Sequence, residues 1–222
     1  NGSVHGIIVL NVYNERLLRL LAETQIPKVF LDTSSLVSPD ELNGDLLLME
    51  SRNSVRNITA HLLEKGRTLP GFMGDIGYAQ SNRERYEGFC QALMDAGKTP
   101  NPSLCLTTPL GIDSYREEID SFLSSLSRMP DSFVCASDYV ACILMQLLEK
   151  RGLRVPEDVA VSGFDNNIED LLAENLTTVQ VFNEELGSRL ALQILYRIKY
   201  PHTPHEVTYL ESKVLYRAST GD

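Results

Sequence analysis

Apolar residues fall along this chain in two alternating rhythms. Short runs that are apolar almost throughout, such as residues 6–10 (GIIVL), Lys28–Leu31 and Asp45–Met49, are separated by longer stretches in which apolar residues return every three to four positions. The first rhythm is that of a strand covered on both faces, the second that of a helix with one buried stripe. In residues 15–22 (ERLLRLLA), for example, Leu17, Leu18 and Leu21 share one helical face. Further helices are predicted over 54–65, 81–96, 113–125, 139–150 and 184–198. Strands are predicted over 71–74, 104–107, 133–136, 159–163 and 177–181, with a last extended stretch over 207–215. Gly66, Gly97 and Gly152 stand where three of these helices should stop. Such alternation implies an α/β fold with parallel sheets covered on both faces. There are more β-α units than one compact sheet normally uses. Two lobes are therefore predicted, a partial N-terminal lobe of 1–97 plus C-terminal crossover segments and a C-terminal lobe mainly of 98–222, with the break in 96–103 where Gly97, Pro100 and Pro102 cluster.

Composition narrows the classes of function. The 222 residues are 43% hydrophobic and 23% charged, which excludes a collagen-like or wholly disordered chain. Thirty acidic against twenty basic side chains leave a net charge of −10. An acidic chain without a basic block is a poor partner for the DNA backbone, so if the protein acts on DNA another segment must hold the duplex. The apolar runs stop far short of the roughly 20 residues that span a bilayer. With no secretory signal in view, a cytoplasmic protein without a membrane partner is expected. Cys90, Cys105, Cys135 and Cys142 form no C-x-x-C pair and sit in or beside apolar sequence, as buried reduced thiols would. No GxGxxG, GxxxxGK[ST], GxSxG or HExxH pattern is present. The expectation is no catalytic residues, no metal, no cofactor and no enzyme.

In open parallel sheets, ligands sit beyond the carboxyl ends of the strands. The residues just after each apolar run are Asn11, Asp32, 81–83, 108–110 ending at Leu110, Ser137 with Asp138, and 165–167. A set of Asn, Asp, Ser and Arg side chains can exchange many hydrogen bonds with hydroxyl groups. Apolar neighbours would cover the ring faces, so a polyol or sugar suits the set.

Residues 155–166 (VPEDVAVSGFDN), preceded by 137–154 (SDYVACILMQLLEKRGLR), resemble the C-terminal lobe of the lac-repressor (LacI/GalR) family of bacterial transcription regulators. Residues 83–93 (RERYEGFCQAL), 176–187 (LTTVQVFNEELG) and 214–221 (VLYRASTG) extend the likeness. So do VHGIIVL at 4–10 and IPKVFLD at 26–32. The resemblance implies a periplasmic-binding-protein-like fold of two Rossmann-like lobes, with a small effector, a sugar or related metabolite, in the cleft. It implies that the first strand–helix units of the N-terminal lobe, and an N-terminal helix-turn-helix domain that would bind operator DNA, lie outside this sequence. It also implies a homodimer or tetramer.

By the same resemblance, Asp165 matches the family's effector-binding aspartate, Arg83 its sugar-binding arginine and Asp32 a cleft aspartate. Arg85 is read as structural and Asp138 as a helix cap. Ser137 stands where the family often has Asn, and Phe182 makes one pocket wall more apolar. Asn11 and Leu110 complete the candidate set. The helix over 139–150 carries Val140, Ile143, Leu144 and Leu147 on a face wider than one sheet contact demands, and family resemblance places it at the dimer interface. Two other readings share the fold pattern: a periplasmic sugar-binding protein of a transport system, and a Rossmann-like enzyme.

Overall fold

The computed structural model describes residues 4–111, 113–167 and 173–222. They form two compact α/β units. The first comprises residues 1–50, 77–81 and 182–211, the second 51–76, 82–181 and 212–222.

The first unit contains β1 (Ile7–Leu10), α1 (Glu15–Glu23), β2 (Lys28–Leu31) and β3 (Asp45–Met49). In the second unit follow α2 (Arg52–Glu64), β4 (Pro70–Met73), α3 (Gln80–Asp95, whose first two residues belong to the first unit), β5 (Cys105–Leu106), α4 (Tyr115–Ser125), β6 (Ser132–Cys135), α5 (Asp138–Lys150), β7 (Ala160–Ser162) and β8 (Thr178–Gln180). The chain then returns to the first unit with α6 (Asn183–Lys199) and β9 (Val207–Leu210) and ends in the second with β10 (Lys213–Leu215).

The sheet of the first unit runs β1-β2-β3-β9, parallel throughout. Every residue of β3 is buried, as a strand covered on both faces requires. On one face Val9, Leu18, Phe30, Leu42, Leu46 and Leu48 form the core. Asn14 caps α1 by accepting the Leu17 N–H at 3.0 Å, which sets Leu18 against the sheet with no exposure. α6 lies close to β1, and Gly6 is what permits it: a Cβ there would stand 2.9 Å from Ile194 and Ile198. One buried ion pair holds α6 to β3. The Arg197 guanidinium meets both oxygens of Asp45 at 3.0 and 2.6 Å and also donates to the carbonyls of Thr203 and Pro204.

The sheet of the second unit runs β5-β4-β6-β7, again parallel. α4 and α5 cover one face through Ile119, Leu123, Phe133 and Leu144. α2 and α3 cover the other through Val55, Ile58, Phe72, Phe89 and Val134. β8 pairs antiparallel with β10 and reaches β7 through single bridges at Ser162–Thr177 and Asp165–Gln180. The predicted helix stops hold. α2, α3 and α5 each end two residues before Gly66, Gly97 and Gly152.

Three expectations change. The chain does not divide at 96–103, because that loop joins α3 to β5 and both strands it serves belong to one sheet; the loop's Gly and Pro end a helix rather than a lobe. The extended stretch 207–215 is two strands in two different units, parted between Glu211 and Ser212. The supposed dimer face of α5 is internal. Val140 (4% exposed), Ile143 (7%), Leu144 (0%) and Leu147 (3%) all lie in the core of their own unit. α5 is apolar nearly all round because α4 packs beside it on the sheet, and these four side chains leave no surface for a partner.

Candidate functional site

β7 runs out into Gly163, Phe164, Asp165 and Asn166, and here the second unit gathers its polar side chains. The turn is left-handed, with φ of +112° at Asp165 and +49° at Asn166. Backbone bonds seat it: the Gly163 N–H donates to the Thr177 carbonyl at 2.8 Å and the Asp165 N–H to the Val179 carbonyl at 3.0 Å. Gly163 has no alternative, since a Cβ there would collide with the carboxylate of Asp138.

The arginine beside Asp165 is Arg85, not Arg83. Its guanidinium stands 3.6 Å from Asp165 Oδ1 and lies on the Phe164 ring, 3.6 Å from the centroid. It also donates to the Ala136 carbonyl and, at 3.3 Å, to Asn82 Oδ1. Arg85 is only 8% exposed. Burial holds the Asp165 carboxyl above the ordinary aspartate range, and the Arg85 charge works against that rise. Arg83 is half-buried on α3 in the same unit as Asp165, so the two do not face each other from opposite lobes. Two residues along a helix is a turn of about 200°, which puts Arg83 and Arg85 on opposite sides of α3. The buried stripe of α3 runs through Arg85, Gly88, Phe89 and Ala92. An arginine in register with that stripe was the sequence signal for Arg85.

Asp138 has a different place from the one expected. Ser137 is the cap of α5, its Oγ accepting the Val140 N–H at 3.3 Å. Asp138 is 1% exposed, and its carboxylate accepts from the Thr178 hydroxyl at 2.6 Å. Burial pushes its pKa up to about 6; the Thr178 bond lowers it and the negative charge of Asp165 raises it further. Leu110 is half-buried in the loop after β5.

The first unit presents its own polar set at the carboxyl ends of β1 and β2. Asp32 (φ +59°) accepts the Thr33 N–H at 2.7 Å and the Ser81 hydroxyl at 2.6 Å. The Tyr13 hydroxyl stands 3.4 Å from Oδ2, the oxygen that also accepts from Ser81. The Tyr13 and Tyr78 rings meet edge to face with centroids 4.4 Å apart. Asn11 (φ +53°) is exposed just after β1, and Phe182 is exposed at the start of α6. The structure thus brings Asp32 together with Ser81 and Tyr13, and Asp165 with Arg85 and Phe164.

Residues 59–220 match the periplasmic binding protein-like domain. The HTH-type transcriptional repressor PurR of Aliivibrio salmonicida is 29% identical over 220 residues, 97% of this chain and 64% of that protein. A structure of the transcriptional regulator CelR in complex with cellobiose superposes with a TM-score of 0.84 at 25% identity, over 97% of this chain and 66% of that one. A LacI family transcriptional regulator from Enterococcus faecium, solved with bound ribose, shares the fold at a TM-score of 0.77 and 23% identity, over 97% of this chain and 79% of that one. These relatives are regulators, not enzymes or transport proteins, and this chain spans less than two thirds of the first two. The chain belongs to the periplasmic binding protein-like domain family, in the form found in the effector-binding region of LacI/GalR transcription regulators.

Proposed function

We propose that this chain binds a sugar or related polyhydroxylated metabolite as the effector of a DNA-binding transcription regulator. Operator DNA would be held by another part of the protein. The observation that carries the reading is the grouping of Asp165, Arg85 and Phe164. A partly exposed carboxylate offers two acceptors, and the adjacent guanidinium, braced on the buried Phe164 ring, supplies donors in a fixed plane. That combination orients a ring bearing several hydroxyls. Cellobiose in the CelR relative supports the ligand class. Within the first unit, Asp32 with Ser81 and the neighbouring Asn11 offer hydroxyl partners of the same chemistry. Arg83, Ser137, Leu110 and Phe182 remain candidates for lesser contacts.

The complete protein acts as a homodimer in the cytoplasm, without enzymatic chemistry, and its dimer face lies elsewhere than on Val140, Ile143, Leu144 and Leu147. With a net charge of −10, the 222-residue chain by itself should not bind duplex DNA at physiological salt. Titration calorimetry with cellobiose and a panel of mono- and disaccharides tests the reading. Binding by the wild type that is lost in Asp165→Asn supports it. No binding to any sugar, or undiminished binding by D165N, overturns it.

A further inference from the structure

A left-handed turn at two successive non-glycine residues is disfavoured and persists where its surroundings over-determine it. At Asp165 and Asn166 the surroundings act from two flanks. On one, Asp138 donates its backbone N–H to the Phe164 carbonyl at 2.8 Å while its carboxylate is fixed by Thr178. On the other stands Arg217, from the segment that follows β10. One arm of its guanidinium donates to Asn166 Oδ1 at 2.9 Å and the other to the Leu176 carbonyl at 3.1 Å. Asn166 in turn passes its amide to the Gln180 side-chain oxygen on β8.

Arg217 is itself firmly placed. β10 pairs with β8, and the Arg217 N–H donates to Thr177 Oγ1 at 2.7 Å. Two residues on, Ser219 accepts the Thr177 N–H at 2.8 Å and donates to the Val161 carbonyl at 2.6 Å. The guanidinium therefore bridges a side chain and a carbonyl ten residues apart in sequence, from a backbone that cannot drift. A planar fork with two divergent nitrogens does this at fixed geometry, whereas a lysine would have to serve both acceptors from one nitrogen on a flexible stem.

We propose that Arg217 is a positioning residue for effector binding: by holding the Asn166 side chain it fixes the turn that presents Asp165 beside Arg85. The proposal rests on the reading of Asp165 as an effector-binding carboxylate, and its role is exerted through Asn166 rather than on the effector. It also gives the motif YRASTG at 216–221 a purpose beyond closing the fold.

The decisive measurement needs no sugar. The Asp165 carboxyl is titrated by carbon-13 NMR in the wild type, Arg217→Gln, Arg217→Lys and Ser219→Ala. Burial is what raises this carboxyl, so a relaxed turn should hydrate it and lower its pKa, by about half a unit or more in R217Q. R217K should fall between, and it carries the measurement if R217Q does not fold. S219A loosens the same segment but keeps the guanidinium, so it should shift Asp165 by less than R217Q does. The pair R217Q/N166A should shift Asp165 no further than either single change, as residues acting through one contact are not additive. An unmoved Asp165 in R217Q and R217K, or an equal shift in S219A at matched loss of thermal stability, overturns the proposal. In a second arm, R217Q should weaken cellobiose, or whichever panel sugar the wild type binds, about tenfold, the loss of roughly one hydrogen bond to a charged group. Absence of any sugar binding by the wild type would sink the functional reading while the NMR arm still decides the role of Arg217.

Discussion

Replacing Arg85 by glutamine removes the only cation shown within 4 Å of Asp165 among the described residues. Three contacts go with it: the Asp165 approach at 3.6 Å, the face-on contact with Phe164, and the bond to the buried Ala136 carbonyl. The last bears on folding, since an orphaned buried carbonyl costs about 1–3 kcal/mol. A glutamine amide can replace that one donor in part. The first two contacts bear on ligand binding. A bound hydroxyl that accepts from the guanidinium makes a charge-assisted hydrogen bond, worth roughly 1.5–3 kcal/mol, or a factor of about 10 to 150 in affinity. Arg85→Lys keeps the charge but loses the planar fork and the fit to the ring, so it should recover only part of that factor.

The matching variant is Arg83→Gln. It changes the same charge on the same helix, two residues away, on the far side of α3. Calorimetric titration of the wild type, R85Q, R85K and R83Q with one sugar separates the two arginines, with urea unfolding run alongside to remove any contribution from stability. R85Q should show the large loss and R83Q less than a few-fold. The Asp165 carboxyl supplies an independent readout: Arg85 lowers its pKa, so R85Q should raise it further above the ordinary range while R83Q leaves it in place. If R83Q abolishes binding and R85Q binds as the wild type does, the assignment built on the Asp165–Arg85 contact is refuted.

Arg197→Met should destabilise the protein by about 3–5 kcal/mol in urea unfolding, because it strands the Asp45 carboxylate in a site where both partners are 2% exposed. A loss below about 1 kcal/mol would mean that water reaches that pair. Leu144→Ala should cost about 2–5 kcal/mol without changing the sedimentation of the folded species, since Leu144 fills its own core. Conversion of a dimer to a monomer at unchanged stability would put α5 back at an interface. Asp138 gives the pH dependence. Its folded pKa of about 6 lies above its unfolded value, so it favours folding at low pH and that contribution fades as pH rises from about 4 through 6, by roughly 3 kcal/mol in all. Asp138→Asn should gain on the wild type by up to that amount between pH 4 and pH 7; parallel stability curves would show Asp138 to be ionised throughout.

The parts of this molecule that were legible in its sequence are those fixed by local pattern. β2 and β3 fall on the predicted residues because a continuous apolar run in a parallel sheet has only one place to go, and the helices stop at the glycines that end their apolar stripes. The lobe boundary was not legible, because neither Glu50–Ser51 nor Glu211–Ser212 differs in composition from an ordinary loop; a crossover is a fact about which sheet the next strand joins. The apolar surplus of α5 was visible, but periodicity cannot say whether α4 or a second protein covers it. For the site, strand ends located Asp32 and Asp165 correctly as polar residues beyond β2 and β7. Selecting between Arg83 and Arg85 needed the phase of α3, and that phase was already written in Gly88, Phe89 and Ala92. Arg217 lies 52 positions from Asp165 in sequence and reaches the turn only because β10 pairs with β8. No local rule connects them. The residues that hold a binding loop in a strained shape are therefore the least visible in sequence, since their requirement is set by a backbone conformation elsewhere in the chain.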